Sequence, residues 1–211
     1  KKISKKIVFV AATNRREDRA GVTGILEPVK SRFKTILDLE VNADEWIEWA
    51  FENKMPPELI GFIHWRPSLL ATGEATADIV NHPCPRTIAN AGEWMKLGVT
   101  DMETIAGAIG EGAAVELLGF IRVYKDLPNI TAIILDPKKA TVPTDPAALY
   151  AVVAALTDKC EENNAAAIIT YSDRLPADFS TLLIRDMIRK EPKIQASPEF
   201  IKWAVSHKDS F

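Results

Sequence analysis

The 211-residue chain is expected to be a mainly α protein that opens with two strands left over from a parallel α/β sheet. Three observations carry this expectation. Residues 7–12 (IVFVAA) form a short, unbroken run of apolar and β-branched side chains ahead of a polar turn, the pattern of a strand buried on both faces. Residues 35–41 (TILDLEV) alternate apolar and polar, the pattern of a second strand. From Asn42 onward, apolar side chains recur at helical spacing between residues that start and stop helices.

Taken in order, residues 13–34 carry charges, two glycines and Pro28 without a period, and read as mostly loop with room for one short helix. Asn42 with Glu45 is a capping-box-like start for a helix through Asn53 that sets Trp46, Ile47, Ala50 and Phe51 on one face. Pro56-Pro57 ends it, and Pro57 suits the first position of the next helix, with Leu59, Ile60, Phe62 and Ile63. Residues 71–84 are small, polar and turn-rich. Pro85 opens a helix to about Leu97, with Gly98 in the stop position. Asp101 caps a short helix to about Ile109, and residues 112–125 form a longer one. Four prolines between Lys125 and Pro146 mark the expected boundary. Asp145-Pro146 then caps and starts a helix to about Glu162, and helices over 165–174, 176–190 and 197–207 follow. Two strands do not make a stable sheet alone. The rest of the sheet is therefore expected upstream, and the chain reads as truncated.

Composition bounds the function. Hydrophobic residues make up 47% and charged residues 26%, ordinary for a soluble globular protein. Apolar-rich runs such as residues 7–12 and 130–135 fall far short of the roughly 20 residues of a membrane span. No N-terminal stretch has the form of a secretory signal. Two cysteines, Cys84 and Cys160, make no disulfide framework, so the cytoplasm is the expected setting. The net charge of −3 hides an asymmetry. Residues 1–34 hold ten Lys or Arg against three acids, leaving −10 for the rest. A basic segment beside an acidic body suits a phosphate-bearing partner, nucleotide or nucleic acid, and a solvated charged face accounts for it equally.

Several familiar chemistries fit poorly. His82 and Cys84 have metal-ligand spacing but no second pair nearby. His64 and His207 lie in helical patterns and read as structural or exposed. No glycine pattern frames a nucleophilic serine. The five tryptophans suit packing better than base stacking. No glycine is followed by Lys-Ser or Lys-Thr, so no phosphate-cradling Walker A loop is present. Ile133-Ile134-Leu135-Asp136 mimics a Walker B strand, but Pro137 stands where a catalytic Glu is needed, and Asp136 reads as a turn residue.

The informative stretch is Val8 to Phe33, VFVAATNRREDRAGVTGILEPVKSRF: a strand ending in Ala-Thr-Asn, then Gly21, Glu27-Pro28 and Ser31-Arg32-Phe33 ahead of the next strand. Downstream, Pro85-Arg86 opens a helix. This order resembles the sensor-1 to arginine-finger stretch and the sensor-2 Pro-Arg of MoxR-like AAA+ ATPases over residues 7 to about 100. Ser31 and Gly24 depart from the family, which carries an acid and a proline there. The resemblance implies a remnant of a P-loop nucleotide-binding core over residues 1–45, a helical lid over 46–126 and a helical extension over 127–211. It implies Asn14 as the residue orienting the attacking water, Arg32 as the finger acting on a neighbouring subunit, and Arg86 as the lid arginine reading the γ-phosphate. Arg15, Arg16 and Arg19 remain rivals for the finger. The parent would use ATP and Mg2+, assemble as a ring and remodel a protein partner, while this segment alone would be inactive. The alternative is a free-standing helical interaction module whose basic N-terminal arm binds nucleic acid or a protein.

Overall fold

The computed structural model describes residues 6–13, 27–71 and 79–208. The chain divides into two compact units, Lys1–Glu40 with Glu74–Ile79, and Val41–Gly73 with Val80–Phe211.

In the first unit the described residues hold one helical turn, α1 (Glu27–Lys30), closed by a Glu27–Lys30 ion pair. The two expected strands are not formed. Residues 7–12 and 35–40 pair with no ladder, and no strand occurs among the described residues. Val8, Val10 and Leu39 are 85%, 91% and 88% exposed. The physical reason is the one that makes the pattern a strand pattern. A segment apolar on both faces, as residues 7–12 are, or on one, as residues 35–41 are, is stable as a strand only between neighbours that cover its apolar side chains and take up its N–H and C=O groups.

All regular structure among the described residues of the second unit is helical. Its helices are α2 (Ala43–Glu52), α3 (Pro57–Trp65), α4 (Pro85–Lys96), α5 (Met102–Ile109), α6 (Glu111–Lys125), α7 (Ile130–Leu135), α8 (Pro146–Asp158), α9 (Ala165–Ser172), α10 (Ala177–Lys190) and α11 (Pro198–Ser206), with 3₁₀ turns at Pro67–Leu70 and Pro192–Ala196. The starts sit where the capping chemistry places them. The Asn42 side chain accepts from the Asp44 and Glu45 N–H groups at 2.9 and 3.3 Å. Asp101 accepts from Thr104 at 2.9 Å, Asp145 from Ala148 at 3.1 Å and Ser197 from Phe200 at 3.2 Å. Gly98 ends the turn after α4 with φ of +79°, a conformation that favours glycine.

One helix was not expected. Residues 130–135, within the proline-rich stretch, form α7, because Asn129 caps the Thr131 and Ala132 N–H groups and Ile133 finds a buried place. Asp136 closes that helix, so the run that mimics a Walker B strand is helical.

Two apolar clusters build the second unit. The first gathers α2 to α6 around Leu59, Phe62, Ile88, Ile105, Leu117 and Phe120. The second gathers α7 and α9 to α11 around Ile168, Tyr171, Leu183 and Met187. Helix α8 belongs to both, giving Ala147 and Ala151 to one and Leu149, Val152, Val153 and Leu156 to the other. Its pattern is therefore apolar nearly all round, as a helix packed on two sides requires. Helix α3 crosses it closely: a Cβ on Gly61 would lie 2.9 Å from the Ala154 Cβ.

Candidate functional site

Arg86 stands in the first turn of α4, and its setting is built from several local devices. Pro85 takes the first helical position, where its missing N–H costs nothing. Cys84 precedes it at the N-cap, and its N–H donates to the Thr87 hydroxyl at 2.8 Å. The same hydroxyl lies 2.8 Å from the His82 carbonyl and 3.3 Å from the Cys84 sulfur. The loop entering α4 is pinned by Asn81, which donates to the Gly107 carbonyl at 2.7 Å. Trp46 of α2 donates to the Pro85 carbonyl at 3.1 Å. On its inner face α4 buries Ile88, Ala91, Gly92 and Met95. A rigid base thus holds Arg86 outward. Its side chain is exposed and makes no hydrogen bond or ion pair among the described residues. A cation at the tip of a helix whose N–H groups already favour anions is a place where a phosphate or carboxylate is stabilised.

The same geometry acts on Cys84. Partial burial pushes its thiol up. The Thr87 hydroxyl, the Thr87 and Arg86 N–H groups and the Arg86 charge outweigh burial, and the net effect holds the thiol below its ordinary range.

Arg32 belongs to the first unit. It follows α1, is exposed, and its guanidinium donates to the Pro28 carbonyl, with the Ser31 hydroxyl on that same carbonyl at 3.2 Å. Glu27 pairs with Lys30, not with Arg32. Asn14, Arg15, Arg16 and Arg19 lie outside the described residues. Arg32 and Arg86 therefore each take their surroundings from their own unit. Among the described residues no group of three or more His, Cys, Asp or Glu side chains is placed to hold a metal ion, and no helix is long and apolar enough to cross a membrane.

The chain matches no protein-family model, no curated protein and no solved structure.

A polar centre invisible to sequence reasoning lies inside the second unit. His64 Nε2 of α3 sits 2.6 Å from Asp186 Oδ2 of α10, with side chains 6% and 1% exposed. Arg189 donates to the other Asp186 oxygen at 3.2 Å, and it reaches Asp44 at the start of α2 at 3.4 Å. Arg185 meets Asp44 at 3.2 Å. A buried carboxylate must be paired, and here the pairing ties α2, α3 and α10 together. The only hint in the sequence is an aspartate one residue from Met187 on the buried face of α10, and its partner is 122 residues away.

Proposed function

We propose that this chain is the C-terminal part of a MoxR-like AAA+ ATPase, whose parent couples ATP hydrolysis on Mg2+ to the remodelling of a partner protein. The observation that carries the reading is the order in one chain of the Ala-Thr-Asn tip, Gly21, Glu27-Pro28, Ser31-Arg32-Phe33 and a Pro85-Arg86 helix start. The exposed Arg86 cation at the tip of an amphipathic helix supports it, because that is a fitting place to hold a phosphate. In this reading residues 7–12 and 35–41 are inner strands of a parallel sheet, exposed apolar side chains such as Val10 and Leu39 being the faces its other layers cover.

Phosphoryl transfer needs positioning and charge stabilisation more than covalent chemistry. Bound ATP and Mg2+ would supply the transferable phosphoryl group and its charge neutralisation. Arg86 would bind the terminal phosphate and report its presence to the helical unit. Arg32 would place a cation against nucleotide held by a neighbouring subunit, and Asn14 would orient water. Without a Walker A loop, these 211 residues are expected neither to hydrolyse ATP nor to bind it tightly.

The test uses a chain that joins these residues to their upstream sequence. A GxxxxGK[ST] loop is expected within about 100 residues upstream of Lys1, less than one typical domain. In that longer protein Arg32→Ala should abolish turnover, and mixing it with subunits dead only in their own P-loop should restore part of it. A finger contributes about 10³–10⁵ in rate, so partial rescue is measurable. Full activity in Arg32→Ala with loss in Arg16→Ala or Arg19→Ala would move the finger. Silence of Asn14, Arg32 and Arg86 substitutions alike, or a start codon with a ribosome-binding site directly before Lys1, would favour the helical interaction module with its basic arm.

A further inference from the structure

The second unit holds a cleft of about 670 Å³ on which four helices end. Helix α2 arrives through Glu52, α4 through Lys96, α8 through Asp158 and α10 through Lys190. A helix C-terminus carries roughly half a negative charge on its unmet carbonyls. Some of this is answered from within the fold. Lys96 donates to the Asn53 carbonyl at 2.9 Å and to Glu93 at 2.8 Å. Lys190 donates to the Asp158 carbonyl. Arg189, which also borders the cleft, is taken up by Asp186 and Asp44.

Glu48 and Glu52 are not answered. They stand one turn apart toward the C-terminal end of α2, where the helix dipole disfavours acids and no basic residue occupies the last turn. Neither makes an ion pair among the described residues. Lys54, exposed at the turn after α2, is the one bordering cation whose side chain has no ion pair among the described residues, so the unpaired charges on the rim are two acids and one base. Between the charged rims the floor is apolar, with Met55, Ile60 and Ala154. Its wall includes Thr157, only 1% exposed, whose hydroxyl has no hydrogen-bond partner among the described residues. Buried hydroxyls are nearly always partnered, and an exception asks for an explanation.

We propose that this cleft docks a peptide segment in which a lysine or arginine stands beside a bulky apolar side chain. The cation lies against Glu48 and Glu52 at the dipole-negative end of α2. The apolar side chain covers Met55 and Ile60. A backbone carbonyl of the segment accepts a hydrogen bond from the Thr157 hydroxyl as the wall opens on binding. The assignment is independent of the ATPase reading, since neither Arg32 nor Arg86 borders the cleft.

Fluorescence anisotropy with three labelled octapeptides tests it on the chain as it stands: alternating Arg-Leu, alternating Glu-Leu and alternating Arg-Ser. Binding of the Arg-Leu peptide alone is expected, weakening as salt rises. Glu48→Gln with Glu52→Gln should weaken it about fivefold or more and flatten its salt dependence. Thr157→Val should weaken the peptide while leaving the melting temperature equal or higher, an effect that a packing role alone would not give. Absence of binding, equal binding of the Glu-Leu or Arg-Ser peptide, or indifference to the two glutamates overturns the proposal. Should Thr157→Val fail to fold, the glutamate pair on the exposed face still decides.

Discussion

The two cysteines show how position sets the chemistry of one side-chain type. Cys84, half-buried at the tip of α4, is held below the ordinary thiol value of 9.0. Cys160, 3% exposed behind α8, is pushed up by burial to about 11. Alkylation of the native chain should therefore modify Cys84 quickly, with a pH midpoint below 9.0, and leave Cys160 until the chain unfolds. Mass spectrometry of the time course checks this, and fast double labelling would contradict it. The Cys160 shift has a sign for stability. The folded state holds that proton more tightly than the unfolded chain, so its contribution is complete below the unfolded value of 9.0 and lost as pH rises toward about 11. Cys160→Ala should flatten the alkaline limb of a melting-temperature profile. Asp186 holds two partners at once, His64 on one oxygen and Arg189 on the other. Replacing it by Ala leaves His64 buried opposite no carboxylate and deprives Arg189 of a partner. A loss of about 3–5 kcal/mol is expected from denaturant unfolding. A change under 1 kcal/mol, on the order of a surface pair, would show that the network is not structural.

At the scale of elements, crossing geometry overrides propensity. Gly61 sits inside α3, where alanine normally stabilises by about 0.5–1 kcal/mol. An added Cβ there meets the Ala154 Cβ at 2.9 Å and the Phe120 ring at 3.2 Å, and the alanine methyl has no rotamer by which to move aside. Gly61→Ala should therefore be destabilising by about 1–3 kcal/mol, whereas Gly119→Ala, with open space around it, should not be. The stretch after α7 shows the opposite effect, a proline-rich segment held by longer reach. Arg174 donates to the Pro137 and Ala140 carbonyls at 2.7 and 2.6 Å, and the Tyr171 hydroxyl donates to Thr141 at 2.9 Å. Arg174→Ala should raise hydrogen exchange and proteolysis over residues 137–144 while leaving α9 protected.

For the whole molecule, α8 is the element that decides how much of the second unit stands alone. Its alanines complete the cluster of α2 to α6, and Gly61 brings α3 against it. A fragment ending at residue 126 would leave the faces of α3 and α6 that pack on α8 facing water. Exposing a buried large apolar side chain costs about 1.5–3 kcal/mol, and total stability is commonly about 5–15 kcal/mol. The fragment 41–126 is therefore expected to be molten or aggregated by circular dichroism and sedimentation, and 41–208 to unfold in one transition. A folded, cooperative 41–126 would show that this span is autonomous. In the first unit, Val8, Phe9, Val10, Leu37 and Leu39 remain highly exposed. Such segments favour pairing with another chain, and concentration-dependent association of the isolated protein is the expected readout.

The sequence by itself determined the helices of the second unit other than α7 and most of their starts, because caps, first-turn prolines and the stop at Gly98 act within a few residues of where they are read. It also singled out Pro85-Arg86, whose placement at a helix tip is equally local. It did not determine α7, since Asn129 caps that helix and Ile133 needs a buried place among α8 and α9 that no local pattern announces. Nor did it foresee that residues 7–12 and 35–41 would form no strand, because a strand's partners lie elsewhere in sequence. The His64–Asp186 pair, the sharing of α8 between two clusters and the cleft where four helices end were decided by tertiary structure alone. Each joins residues tens to more than a hundred positions apart, 122 in the case of His64 and Asp186, and periodicity carries no information about distances through space.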